Sequence, residues 1–248
     1  PEDYKAFLAG EEKNAAHIFG AHERTVNGVK GVLFNVWAPK ALSVSVVGEF
    51  NKYDGRVHLM ERIEDTGVFE LFIPGLAAGC GYMYEIKRQG KGTTRKLDPV
   101  SRQISSVPII ASVVSDENMP DSYAWNDGLW MIKRKKEAGK KKPVTVYEVS
   151  LTDWLKEKSA DELVDFVKQE GYTHVCFLPV AEYLNEEMNG YSTLGYFAVT
   201  HRTGGRDAFK KLVDDCHNAG IGVIIDWNGA YFGTEAKGLY DFDGADDS

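Results

Sequence analysis

The sequence predicts a β-rich region followed by an α/β region, an antiparallel β-sandwich and then a parallel sheet with helices. Three observations carry this expectation. Up to about residue 115 the apolar residues recur with period two in short runs. After Pro143 the runs become apolar on both faces and alternate with stretches of helical period. Between the two lies a lysine-rich stretch, Met131 to Lys142, reading MIKRKKEAGKKK.

In chain order, the first twenty residues carry a weak pattern that suits a short helical segment. Val32, Phe34, Val36 and Ala38 then alternate with Leu33, Asn35 and Trp37, as a half-buried strand requires. Val44 and Val46 alternate with Ser43, Ser45 and Val47. Phe69, Leu71 and Ile73 form one face of a third run, and Tyr82, Tyr84 and Ile86 one face of a fourth. Turn chemistry separates them at Ala38-Pro39-Lys40, Asn51 to Gly55, Pro74-Gly75 and Gly79-Cys80-Gly81. Close strands with such turns read as a sandwich of immunoglobulin-like type spanning 1–115. Residues 116–143 read as a linker, with the lysine run a solvated, self-repelling surface segment.

Residues 144–248 form the third region. Val144 to Val149 is a β-rich run. Ser159, with Glu162 three residues on, opens a helix as a capping box; Leu163, Phe166 and Val167 supply its apolar stripe and Gly171 stops it. Thr173 to Val180 is an almost unbroken apolar strand. A helix over about 206–219 has the stripe Phe209, Leu212, Val213 and Cys216, and Ile221 to Asp226 is the next apolar strand.

Composition narrows the function. The chain has 248 residues, 43% hydrophobic and 27% charged, in the globular range. Its net charge of −8 speaks against nucleic acid, whose phosphates need a surplus of Lys and Arg. No apolar run approaches the roughly 20 residues of a membrane span, and the start, Pro1-Glu2-Asp3-Tyr4, carries no signal-peptide pattern. Cys80, Cys176 and Cys216 cannot all pair and fit no metal spacing, which favours a reducing, cytoplasmic setting. The six histidines show no i, i+4 pairing, so no metal cluster is expected. There is no Walker loop, no G-x-S-x-G and no dinucleotide fingerprint.

In parallel α/β folds ligands bind at the C-terminal strand ends. That selects Glu148-Val149-Ser150, Pro179 to Glu182, and Asp226-Trp227-Asn228. Asp226 ends a run of Ile and Val, where a carboxylate serves either a site or a turn cap. The loop Asn189 to Phe197 is rich in Gly and Tyr, and a Tyr ring offers a flat apolar face for a sugar together with a hydroxyl.

Together these motifs resemble the glycogen (1,4-alpha-glucan) branching enzymes of the alpha-amylase superfamily. Phe34-Asn35-Val36-Trp37-Ala38-Pro39, Val47 to Asn51 and Phe69 to Gly75 are similar to their N-terminal β-sandwich. Tyr147-Glu148-Val149, Leu178-Pro179-Val180, Gly195-Tyr196-Phe197-Ala198 and Ala219 to Trp227 are similar, in order and spacing, to the start of their catalytic barrel. The resemblance implies an incomplete (β/α) TIM-type barrel after the sandwich, an α-1,4-glucan substrate, and no metal or organic cofactor. It also implies retaining glycosyl transfer, which needs a carboxylate nucleophile and a second carboxyl as acid/base. In the family these acids follow later strands, so no catalytic residue is expected in this chain, and it is expected to be inactive alone.

The carry-over assigns substrate binding to Tyr191, which matches a Tyr that stacks under the sugar, and to Asp226, which matches the Asp of the family's first motif. Tyr231 stands where the family has His, and Ser150 where it has His after Tyr-Glu-Val. On the module surface Tyr53 stands for a Trp and Met83 for a Lys. A non-catalytic glucan-binding or scaffolding protein is the rival reading. An unfinished barrel would also expose Val175, Phe177, Val223 and Ile225 and allow self-association through its open edge.

Overall fold

The structure, a computed structural model, describes residues 2–12, 14–105, 109–115, 123–186, 188–234 and 237–245. The β-rich half begins with helices α1 (Glu2–Leu8) and α2 (Ala15–Ile18). Strands β1 (Gly20–Val26), β2 (Val29–Trp37), β3 (Ala41–Val47), β4 (Glu61–Ile63), β5 (Val68–Pro74), β6 (Gly81–Arg88), β7 (Gly92–Lys96), β8 (Ile104–Ser105) and β9 (Ala111–Val113) follow. They form two antiparallel sheets, ordered β1-β2-β5-β4 and β3-β6-β9-β8, with β7 also on β6.

The period-two faces close on one another. Val32, Phe34 and Val36 of β2 and Phe69 and Ile73 of β5 share a buried core with Val44 and Val46 of β3 and Tyr82, Tyr84 and Ile86 of β6. The two tyrosines can be buried because their hydroxyls have partners. Tyr82 donates to Asp98 Oδ2 at 2.5 Å, and Tyr84 to the Asn35 carbonyl at 3.3 Å.

The second half contains α3 (Gly128–Glu137), β10 (Val146–Val149), α4 (Leu151–Trp154), α5 (Ala160–Gln169), β11 (His174–Phe177), β12 (Ala181–Tyr183), β13 (Thr193–Val199), α6 (Gly205–Asn218) and β14 (Gly222–Ile225). Strands β10, β11 and β14 make a parallel sheet in that order, and β12 and β13 an antiparallel pair. Parallel register sets Tyr147 beside Val175 and Val223, and Val149 beside Phe177 and Ile225. All of these but Ile225 pack on Leu163 and Val167 of α5 and on Phe209, Leu212 and Cys216 of α6. Helix α5 starts as its sequence indicates. Ser159 Oγ accepts from Glu162 N at 3.2 Å while Glu162 Oε2 accepts from Ser159 N at 2.7 Å.

Two expectations need correction. Val175 and Phe177 do not expose apolar surface: both are fully buried beneath the helices. The exposed apolar residues of this sheet are Val146 on one edge and Ile224 and Ile225 on the other. Second, the lysine-rich stretch stays exposed as expected, but its first residues are helical, continuing α3, which is fastened to α6 by residues just ahead of the stretch. The Trp130 ring stacks on His217 at 3.6 Å between centroids, and Asp127 Oδ2 lies 2.7 Å from His217 Nδ1. Asn126 N adds a bond to Asp214 Oδ1 at 3.0 Å. Trp130 alone of the apolar opening is partly covered; Leu129, Met131 and Ile132 stay exposed, as do the lysines that follow.

A third core cluster joins the halves. Val47, Met83, Leu97, Ile104 and Ala111 of the β-rich half bury themselves against Leu194 and Ala198 of β13. Gly195 makes this approach possible, since a Cβ there would sit 2.4 Å from Ile104 Cδ1.

Candidate functional site

The C-terminal ends of the parallel strands hold the candidate cluster. Backbone pairing carries β14 one residue further, with Asp226 N donating to Phe177 O at 2.8 Å, and so fixes Asp226 at the sheet end. The loop before β13 then delivers Tyr191, whose hydroxyl donates to Asp226 Oδ2. That bond, burial, and the charges of Asp226 and Glu148 push the Tyr191 phenol up to about 12. Tyr191 is therefore a neutral donor at physiological pH, and Asp226 is oriented by it. Nearby Cys176, half-buried on β11, has its thiol raised by burial and by Glu148 and Asp226, which makes it unreactive.

Beside this pair a cavity of about 210 Å³ is lined by Pro179, Tyr196, Phe197, Asp226, Trp227 and Asn228 among others. Trp227 and Phe197 are 63% and 55% exposed, and the Trp227 and Tyr196 rings lie 5.5 Å apart. Exposed aromatic faces next to an oriented carboxylate suit a polyhydroxylated ring: stacking on one side, hydrogen bonds at the edge.

The other sequence-selected residues lie apart from this pair. Tyr231 is 55% exposed, and its contact to the cluster is through its backbone, whose carbonyl accepts from the Tyr196 hydroxyl. Ser150 caps α4, its Oγ accepting from Asp153 N at 3.3 Å. Glu182 is buried and occupied. It accepts from Arg202 Nη1 at 2.8 Å, His201 N at 2.9 Å and Thr200 Oγ1 at 3.1 Å, with His201 Nδ1 at 3.0 Å. That network anchors the β12–β13 pair to the turn before α6. Sequence reading missed the network, although the His201-Arg202 dipeptide facing a lone Glu was its signal.

In the β-rich half, Lys52 and Tyr53 both adopt left-handed backbone, with φ 55° and 59°. Arg95 holds this turn from above, its guanidinium 5.6 Å from the Tyr53 ring and its Nη2 donating to Tyr53 O at 2.9 Å. Tyr53 borders a groove of about 690 Å³ together with Glu49, Phe50, Gln103 and His201. Met83 contributes nothing to that surface, being buried against β13. Among the described residues no group of His, Cys, Asp and Glu is placed to hold a metal ion, and no helix is long and apolar enough to cross a membrane.

Comparison with known proteins places these features. Residues 18–101 match the family model of carbohydrate-binding module 48, the isoamylase N-terminal domain. A 1,4-alpha-glucan branching enzyme from Methylococcus capsulatus is 42% identical over 98% of this chain, which covers 34% of that enzyme. Similar enzymes from Nitrosococcus oceani and Gloeobacter violaceus are 42% and 41% identical over the same 98%, again at 34% of their length. The chain thus spans about a third of the curated relatives it matches. Among solved structures, a Salmonella typhimurium protein assigned as an alpha amylase aligns with a TM-score of 0.62 and 25% identity, over 88% of this chain and 34% of that one.

Proposed function

We infer, from 42% identity to 1,4-alpha-glucan branching enzymes over 98% of its length, that the chain is part of a protein of α-1,4-glucan metabolism and that its contribution to the reaction is glucan binding. The observation that carries this reading is the Tyr191–Asp226 pair at the C-terminal end of the parallel sheet, bordered by exposed Trp227 and Phe197. In this reading Tyr191 offers its ring to a glucose unit and Asp226 accepts from sugar hydroxyls. Tyr231, tied to Tyr196 through its carbonyl, is the third residue of this reading, and Tyr53 offers a second, module-side contact.

In architectural terms the two antiparallel sheets are an immunoglobulin-like sandwich over 1–115. The stretch 116–143 links it to the first three strands of a (β/α) barrel over 144–248. The working setting is a reducing cytoplasm. The unpaired edges of β10 and β14, with Val146, Ile224 and Ile225 exposed, are where a second copy would add strands.

This chain alone does not transfer glucan. A retaining transfer needs two carboxyls about 5 Å apart across the sugar. At these strand ends Glu182 is tied into its cation network, and the resemblance to the branching enzymes puts the two reacting carboxyls after later strands. Incubation with amylose, followed by proton NMR of α-1,6 linkages, is expected to show none above buffer, while maltoheptaose titration shows weak binding. Turnover into branched product would overturn the inactivity. Absence of any oligosaccharide binding would overturn the glucan reading itself. The groove beside Tyr53 favours a second reading, a purely glucan-binding module, and binding that survives Tyr191→Ala but not Tyr53→Ala would select it.

A further inference from the structure

Residues 237–245 follow the loop that leaves Asp226, and they lie back across the β-rich half as a strap. Leu97 N donates to Lys237 O at 2.9 Å, and Lys96 Nζ to Tyr240 O at 2.6 Å. Asp241 takes Arg88 Nη1 at 2.5 Å and Lys91 Nζ at 3.1 Å. Asp243 Oδ2 accepts from Lys40 N at 2.9 Å, and Phe242 packs against the core between the two sheets. Beneath this strap Lys96 is 2% exposed, and Arg88 Nε is buried without an acceptor.

We propose that Lys96 is a positioning residue whose ammonium, covered by the 237–245 strap, sets how firmly that strap and the chain leaving Asp226 are held to the β-rich half. Closing the strap takes a cation out of water and gives it one carbonyl in return. The carboxylate whose charge reaches it, Asp241, is already shared by Arg88 and Lys91. Opposite Lys96 on β6 is Tyr84, whose hydroxyl is directed to Asn35 O and Asp98, while Arg88, opposite Gly92 on the same strand, acts on Lys96 through its charge. A buried charge so sparsely paired weakens the state that buries it. Burial and the Arg88 charge accordingly bring the Lys96 ammonium down to about 8, against the pull of Asp241.

The sign follows from linkage. The closed strap binds the Lys96 proton less tightly than an open strap with a solvated lysine. Closure therefore strengthens as pH rises from about 8 toward the ordinary lysine value near 10, by up to about tenfold per unit, and is flat below about 8. The proposal stands on the strap contacts and is independent of whether glucan binds at Asp226.

Amide exchange of the full chain tests it, because the Leu97 and Lys40 amides bond to the strap and exchange when it opens. Base-catalysed exchange of an ordinary amide rises tenfold per pH unit. For these two the rising closure cancels that increase, so their rates are expected to stay nearly level between about pH 8 and about pH 10. In Lys96→Met they should rise tenfold per unit like their neighbours. Should that variant fail to fold, Arg88→Gln moves the onset of the level window to higher pH and Asp241→Asn moves it lower. A tenfold-per-unit rise in the unaltered chain, a level window retained in Lys96→Met, or shifts of the opposite sign would overturn the assignment.

Discussion

The Tyr191 hydroxyl and the Asp226 carboxylate define each other, and each half of that relation can be measured. With Asp226→Asn the charge that restrains the phenol is gone, so Tyr191 should ionise nearer the ordinary value of about 10 than at about 12. Ultraviolet titration of the variant is expected to show one tyrosine more ionising in the lower range. An unchanged curve would mean that the bond does not persist in solution. On the binding side, Tyr191→Ala loses a stacking face worth about 1–2 kcal/mol and should weaken maltoheptaose about tenfold, while Tyr191→Phe keeps most of it. Calorimetric titration of both variants checks the order. Asp226 itself was legible, because a carboxylate closing a run of Ile and Val has few uses. Its partner was less so: Tyr191 lies thirty-five residues away, and the two meet because the β11–β14 register fixes Asp226 while the loop between β12 and β13 carries Tyr191 over it. The burial of Met83 was illegible for the same reason, since period-two patterning gives the two faces of β6 but not what covers the outer one.

At the level of elements, local signals that the backbone must satisfy came through and docking did not. The Ser159–Glu162 capping box satisfies amides that α5 would otherwise leave open, and it stands where the sequence puts it. Ser159→Ala should lower stability by about 1 kcal/mol, read as a shift in urea midpoint without a change in slope. Helix α3 was read as a solvated run because seven of its twelve-residue neighbourhood are Lys or Arg. The lysines are indeed solvated; what the pattern leaves out is the anchor ahead of them, Trp130 stacked on His217 and Asp127 beside it. Trp130→Ala removes the stacked ring, and the helix is expected to come off α6. Protease cleavage within 133–142 should become faster while the thermal midpoint of the rest moves little. Equal cleavage rates in both proteins would place the anchoring elsewhere.

For the whole molecule, the buried seam of Val47, Met83, Leu97 and Ile104 against Leu194 and Ala198 is what makes two patterns one body. Leu194→Ala leaves a cavity in that seam and should cost about 2–4 kcal/mol. Because the lost contact lies between the halves, calorimetry is expected to show one transition for the unaltered chain and two for the variant. A single unshifted peak in the variant would show that the Leu194 contact is not what couples the halves. The seam also bears on recombination. A chimera that joins residues up to 143 from one relative to the remainder of another crosses over at a stretch that looks, by sequence, like the natural joint. Such a crossover would in fact separate Ile104 from Gly195, a position where a single added methyl meets the facing side chain at 2.4 Å. Parents are therefore best compared across that contact, because any larger residue at 195 obliges the Ile104 side chain to turn aside.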